Sequence, residues 1–241
     1  MNPRQEESSQ KRSEPKRRYS SPLREEQRLA TRARVVDAAG AVFAERGYVA
    51  TTMQAIAGAA AVSVDTVYLT GSKRELLFAA LEKALVGDEG SHSALERPWV
   101  KEMLAEPDAR CLLSVLARAT GEVHARTAGI FHALVGGAAA DDEVAHAYRG
   151  LVGRMRSDTA AIASLLDERR GTQRGVAAED LGDTFWVITH VEAYRHLVEE
   201  AGWSLERYVT WLEQVLMTLV LGPLAADAPA GASGEESPPV H

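Results

Sequence analysis

The sequence predicts an all-α protein in two parts, an N-terminal three-helix head and a larger C-terminal helical domain, with about nine helices in all. Three observations predict it. Apolar residues recur at spacings of three and four through the middle of the chain, and no run alternates at two over a useful length. Short apolar stripes between residues 51 and 85 each follow a hydroxyl residue of the kind that caps a helix. The last two long segments, at about 178–201 and 204–221, are apolar on more than one face, so they must be buried on more than one face.

In chain order, residues 1–22 come first. They are almost free of large apolar side chains, hold Pro3, Pro15 and Pro22, and are cationic through Lys11, Arg12, Lys16, Arg17 and Arg18, so they are expected to form a disordered basic arm. The first helix is expected from about Arg24 to Arg46, with Leu29, Ala33, Val36, Gly40 and Phe43 on one face and Gly47 stopping it. Thr51 and Gln54 have capping-box spacing, and Met53, Ile56, Ala57 and Ala60 then stripe a second helix. Ser63 can cap a third helix of about six residues, whose Val64, Val67 and Tyr68 cannot all face inward. Gly71 breaks the chain, Ser72 and Glu75 form a second capping box, and Leu76, Leu77, Leu81 and Leu85 stripe a connecting helix at 72–86. Gly, Ser and Pro around Trp99 make about Asp88 to Pro107 a connector. Helices are then expected at about 108–125, 127–136, 141–169, 178–201 and 204–221. The domains that follow are the arm at 1–22, a helix-turn-helix head at 23–71, an effector-binding and dimerisation domain at 72–222, and a disordered tail at 223–241.

Composition narrows the function. The longest apolar stretches fall well short of a membrane span and the N-terminus lacks a secretory apolar region, which points to the cytoplasm and away from a membrane. Cys111, the single cysteine, can form no intrachain disulfide and reads as a small buried hydrophobe. The net charge of −7 is unevenly spread: residues 1–34 hold ten Lys or Arg against five Glu, a net of +5, leaving −12 on the other 207 residues. A basic end on an acidic body suits nucleic-acid contact at that end only. No Walker loop, dinucleotide glycine fingerprint, nucleophile elbow or His-Glu-x-x-His is present, so neither an enzyme nor a cofactor is expected, although a helical enzyme is the remote rival.

A capped helix, a short turn and a second short helix is the spacing that lays one helix across the phosphate backbone and the next in the major groove of duplex DNA. A plain helical hairpin has the same spacing. The shortness of the third helix and the basic arm upstream favour DNA. Residues Arg34 to Leu77, RVVDAAGAVFAERGYVATTMQAIAGAAAVSVDTVYLTGSKRELL, resemble the DNA-binding domain of TetR-family regulators in their Phe-Ala-Glu-Arg-Gly-Tyr, Thr-Thr, Ile56-Ala57, Val62-Ser63, Tyr68 and Ser72-Lys73. Tyr194-Arg195, Gly202-Trp203-Ser204, Tyr208 and Trp211-Leu212 are similar to the last two helices of an actinobacterial-looking branch of that family. The resemblance implies that Thr51, Thr52 and Gln54 meet phosphates or the groove edge, that Ser63, Val64, Asp65, Thr66 and Tyr68 face the major groove, and that Tyr68 and Lys73 pin the backbone; from their charge alone, Arg34 and the arm residues Arg17 and Arg18 are expected to contact DNA as well. Free amides at the starts of helices two and three would suit phosphate, and Thr66 could bond a base or touch a thymine methyl. Asp65 would repel a phosphate; it could accept from a cytosine amino group, but the first turn of its own helix suits it better. The chain departs from the family in having Ala61 where a Gly is usual and in lacking the aromatic between Tyr68 and Lys73, a segment one residue shorter here.

Trp99, His124, Phe131, His132, Trp186, His190 and Tyr194 are the polar-tipped and aromatic candidates for a ligand cavity between helices, though each also suits an ordinary core position. His124 and His132 stand eight apart and His190 and His196 six apart, neither being the four-residue spacing that converges on a metal, so no metal is expected. Val187, Leu197, Leu205, Val209, Leu212, Leu216 and Val220 are expected in a homodimer interface built from 178–221, as a two-fold operator requires. By the resemblance, the whole is a regulator of the repressor type that a small-molecule effector releases from double-stranded DNA; the alternative is the same fold controlled by a protein partner without such a ligand.

Overall fold

The computed structural model describes residues 22–86, 98–170 and 178–222, and these are helical with no strand among them. The elements are α1 (Pro22–Ala50), α2 (Met53–Ala60), α3 (Val64–Thr70), α4 (Lys73–Val86), α5 (Pro98–Leu104), α6 (Ala109–Ala140), α7 (Asp142–Arg170), α8 (Ala178–Ile188), α9 (Val191–Tyr194) with a π-helical continuation Arg195–Glu200, and α10 (Leu205–Leu221). Residues 1–21 of the expected arm, Arg17 and Arg18 among them, and the expected tail lie outside the described residues.

Helix α1 buries Val35, Val36, Ala39, Val42 and Phe43 and breaks at Gly47, whose φ of 74° is the left-handed conformation that glycine tolerates best. Its first turns run past the core, so Leu29 is exposed where the pattern placed it on the buried stripe, and Ala33 is half-buried. The head core is closed by Ile56 and Ala57 of α2, Val67 of α3 and Leu76, Leu77 and Leu81 of α4.

Helix α6 is the spine of the molecule. It packs against α1 and α4 of the head and against α7, α9 and α10 of the body. The sequence pattern divides it near residue 126, but no helix breaker stands there, and the Thr127 hydroxyl is satisfied within the helix by donating to the Val123 carbonyl at 2.8 Å. Two glycines permit the close approach of α1. A Cβ at Gly129 would lie 2.8 Å from the Ala44 Cβ and 3.2 Å from its Cα, and one at Gly137 would lie 2.9 Å from the Tyr48 ring. The end of this seam is tied to α7 by the Tyr48 hydroxyl, which donates to Asp141 at 3.3 Å, and by the ion pair of Arg74 and Glu143.

Two further boundaries differ from the pattern. Part of the expected connector is the helix α5. The stretch expected as one helix at 178–201 is interrupted before Val191, where the His190 ring caps α9 by accepting from the Glu192 amide at 3.3 Å. Cys111 is exposed, not buried. Of the expected interface residues, Val209, Leu212, Leu216 and Val220 are already in the core of their own subunit, because the α6–α10 contact uses that face of α10; Leu197 and Leu205 are partly buried against the same core.

Candidate nucleic-acid interface and core cavity

The helix-turn-helix is closed by side chains a few positions away from the groups they satisfy. The Thr52 hydroxyl caps α2 by accepting from the Ala55 amide at 3.1 Å, and Ser63 caps α3 by accepting from the Thr66 amide at 3.1 Å. In the turn between them Ala61 adopts φ 53°, ψ 47°, and the Val62 amide reaches back to the Ala57 carbonyl at 3.1 Å. Here the sequence pattern picks the wrong neighbour. Thr51, given the capping and phosphate roles, is 1 % exposed, and its hydroxyl donates to the Gly47 carbonyl at 2.7 Å, so it fastens the end of α1.

Helix α3 has seven residues and buries only Val67. Asp65, Tyr68 and Leu69 point to solvent, Leu69 being 89 % exposed, while Val64 and Thr66 are half-buried. The Thr66 hydroxyl is 2.8 Å from that of Ser63 and so belongs to the cap as much as to the surface. Arg32 of α1 takes over at the end of α3, where the chain is short of an aromatic: its guanidinium donates to the Thr70 carbonyl at 2.9 Å, and the Gly71 amide closes on the Val67 carbonyl at 3.1 Å. The capping box of Ser72 and Glu75 is formed reciprocally, at 2.7 and 3.3 Å. Lys73 lies 4.5 Å over the Tyr48 ring and donates to the Val49 carbonyl at 3.3 Å; partial burial lowers its pKa. Arg34 and Gln54 are exposed.

In the body, a cavity of about 180 Å³ opens between α5, α6, α7 and α8. His124 is on its wall and continues into a chain of ring contacts: Tyr208 at 6.0 Å, Tyr194 at 6.1 Å, then separately His190 with Trp186 at 4.6 Å and with Phe131 at 5.6 Å. Burial, with His190 nearby, pushes the His124 pKa down to about 4, and burial raises that of Tyr208, so both are neutral near pH 7. The Tyr208 hydroxyl and the His124 Nδ1 are 3.0 Å apart.

The structure therefore gathers five of the seven expected ligand residues, His124, Phe131, Trp186, His190 and Tyr194, into one region, and of these five His124 is the one on the cavity wall. His132 is exposed, on a different face of α6 from His124 and Phe131, and does not join them. The side chain of Trp99 lies outside the described residues. Sequence reasoning missed Thr120, Thr159 and Thr189 on the wall, and Tyr148 and Tyr208 in the ring chain. A threonine set among apolar helix positions was the available signal for the first three. Among the described residues no helix is long and apolar enough to cross a membrane, and no three His, Cys, Asp or Glu side chains gather as a metal site.

Residues 35–80 match the model of the tetR family of bacterial regulatory proteins. No curated protein matches the chain. Among solved structures, the chain is similar to a candidate fatty acid metabolism regulator of Clostridium perfringens, at 15 % identity and a TM-score of 0.58 over 80 % of this chain and 100 % of that one. It is similar also to a candidate transcriptional regulator of Pseudomonas aeruginosa, at 16 % identity and 0.58 over 82 % and 92 % of the two chains. A candidate TetR-family transcriptional regulator of Mesorhizobium loti gives 18 % identity and 0.54 over 80 % and 97 %. Residues 35–80 thus carry the head of the tetR family of bacterial regulatory proteins, and the chain has a TetR-like fold, an N-terminal helix-turn-helix domain followed by a helical C-terminal domain.

Proposed function

We propose that the chain is a sequence-specific transcriptional regulator of the cytoplasm that binds a two-fold operator as a homodimer and is released from it by a small-molecule effector. The observation that carries this reading is α3: a helix held at both ends, by Ser63 and by Arg32, that buries only Val67 and presents Asp65, Tyr68 and Leu69. A helix so rigidly placed adds little to the core, and the major groove is the surface it fits. With no Lys or Arg in α3, base recognition rests on Tyr68, Leu69 and Thr66, and phosphate attraction on Arg34, Gln54, the starts of α2 and α3 and the cationic residues before position 19.

The dimer reading keeps Val187 of the residues the sequence suggests and exchanges the buried ones on α10 for that helix's other apolar face. Val187 of α8 is 68 % exposed, and Ile188, Trp211, Val215 and Leu219 are partly exposed beside it. A two-fold pairing of α8 and α10 would cover these side chains and set two heads on one operator. Val215→Asp is expected to turn a dimer into a monomer in sedimentation at micromolar concentration while leaving the helical content unchanged.

The test of the whole reading is selection of random duplex DNA by the full chain. An inverted repeat bound ~1,000-fold more tightly than random duplex is expected. Deleting residues 1–18 should weaken binding and flatten its salt dependence, by roughly one unit of log–log slope for each phosphate that the arm no longer neutralises. Failure to enrich any sequence would refute the proposal.

A further inference from the structure

The chemistry of the cavity wall defines the effector more closely, given the reading that a small molecule controls this domain. The wall is made of Val100 and Met103 of α5, apolar residues of α6, Ile162 of α7 and Phe185 of α8, with polar atoms only from Thr120, His124, Thr159 and Thr189. Among the described residues no Lys, Arg, Asp or Glu lines it. Each polar group has a definable state. The Thr159 hydroxyl donates to the Met155 carbonyl at 2.9 Å and the Thr189 hydroxyl to the Phe185 carbonyl at 2.7 Å, so both donors are committed and their oxygens remain acceptors. Tyr208, fully buried and neutral, engages the Nδ1 of the neutral His124 ring at 3.0 Å, and the Thr189 backbone also hydrogen-bonds to this ring. Among the described residues the Thr120 side chain, on the wall, makes no hydrogen bond and keeps both a donor and an acceptor.

We infer that this cavity takes a compact, uncharged, largely apolar molecule bearing one hydroxyl or carbonyl group, which hydrogen-bonds to Thr120. A carboxylate or phosphate would be buried with no cation to pair it, and an ammonium with no anion, and burying an unpaired charge is far more unfavourable than burying a hydroxyl that meets a partner. His124 provides no countercharge, since burial keeps it neutral near pH 7 and its Nδ1 is already engaged by Tyr208. At about 180 Å³ the space is below the ~300–1,000 Å³ usual for drug-sized ligands, so the molecule is small.

The test compares three probes that share a para-ethylphenyl body with the full chain by calorimetry and thermal shift: para-ethylphenol, the para-ethylbenzoate anion and para-ethylbenzylamine. The neutral phenol is expected to bind and raise Tm, and to bind at least about tenfold more tightly than either ion. Thr120→Val keeps the shape of the wall and should weaken the phenol by about tenfold, the loss of one buried hydrogen bond. Ala119→Trp should fill the space and abolish binding. Tighter binding of the benzoate or the benzylamine, phenol affinity unchanged in both variants, or no binding of the phenol at all would overturn the inference. Binding to the selected duplex is measured on the same preparations. A chain that selects DNA and ignores the phenol keeps the regulator reading and loses this ligand class; one that binds the phenol and no DNA does the reverse.

Discussion

In the head of this protein the caps are set by neighbours, whereas in the body α6 is tied to α10 by polar contacts between residues far apart in sequence. Thr52 with Ala55, Ser63 with Thr66 and Ser72 with Glu75 are each three positions apart. His124 meets Tyr208 across 84 positions and Arg118 meets Glu206 across 88. The difference fits the two duties proposed for the two halves. Local caps hold α2 and α3 in one geometry, as a surface that reads a rigid duplex needs. The long-range contact made by His124, which stands on the cavity wall, can be rearranged by what fills the cavity, as the proposed sensor would need.

Three changes probe this contrast, in decreasing order of effect. The first is acid. His124 has a folded-state pKa of about 4 against the ordinary 6.5, so below neutral pH the unfolded chain takes up this proton first. Its contribution is complete above pH 6.5 and is lost as the pH falls from there to about 4, a change on the order of 3 kcal/mol. His190, also lowered by burial, acts in the same direction. All four tryptophans, Trp99, Trp186, Trp203 and Trp211, follow the head in sequence, so tryptophan fluorescence during urea unfolding reports on the body. His124→Gln should show a smaller loss of stability between pH 7 and 4 than the parent chain; equal losses would mean that His124 does not set the acid sensitivity.

The second change concerns the seam between the halves. Gly129→Ala would press a methyl group onto the Ala44 Cβ and backbone, an overpacking expected to destabilise by ~1–3 kcal/mol. Gly136→Ala has nothing within 4 Å and should stabilise by up to about 1 kcal/mol through helix propensity. Equal midpoints for the two variants in urea would mean that α1 and α6 do not depend on this close approach. The third is local to the head. Ala61→Gly relieves a left-handed non-glycine residue and should stabilise by up to ~1 kcal/mol, part of the relief being offset by the greater freedom of glycine when unfolded. A fall in Tm would show that the turn is not strained.

The same contrast explains what can be read from the sequence. Gly47 as the stop of α1, Ser63 as the cap of α3 and the Ser72–Glu75 box are legible because the groups involved are adjacent. The choice between Thr51 and Thr52 is made by burial, which no three-residue pattern encodes. Arg32 escapes sequence reasoning for the same reason, its acceptor being 38 positions away. In α10 two apolar faces are evident, but which one meets α6 depends on packing, and that choice moves Val209, Leu212, Leu216 and Val220 from the expected interface into the core. Likewise Phe131 and His132 are neighbours in sequence, yet only Phe131 turns inward, because successive residues of a helix point about 100° apart.

Whether α3 reads DNA sequence is decided by the ratio of affinities for the selected operator and for random duplex, measured in the parent chain and in the double variant Tyr68→Ala, Leu69→Ala. Both side chains are exposed, so stability should stay within about 0.5 kcal/mol of the parent. The ratio is expected to fall by at least about tenfold while binding to random duplex and its salt dependence persist. An unchanged ratio would contradict a reading role for α3.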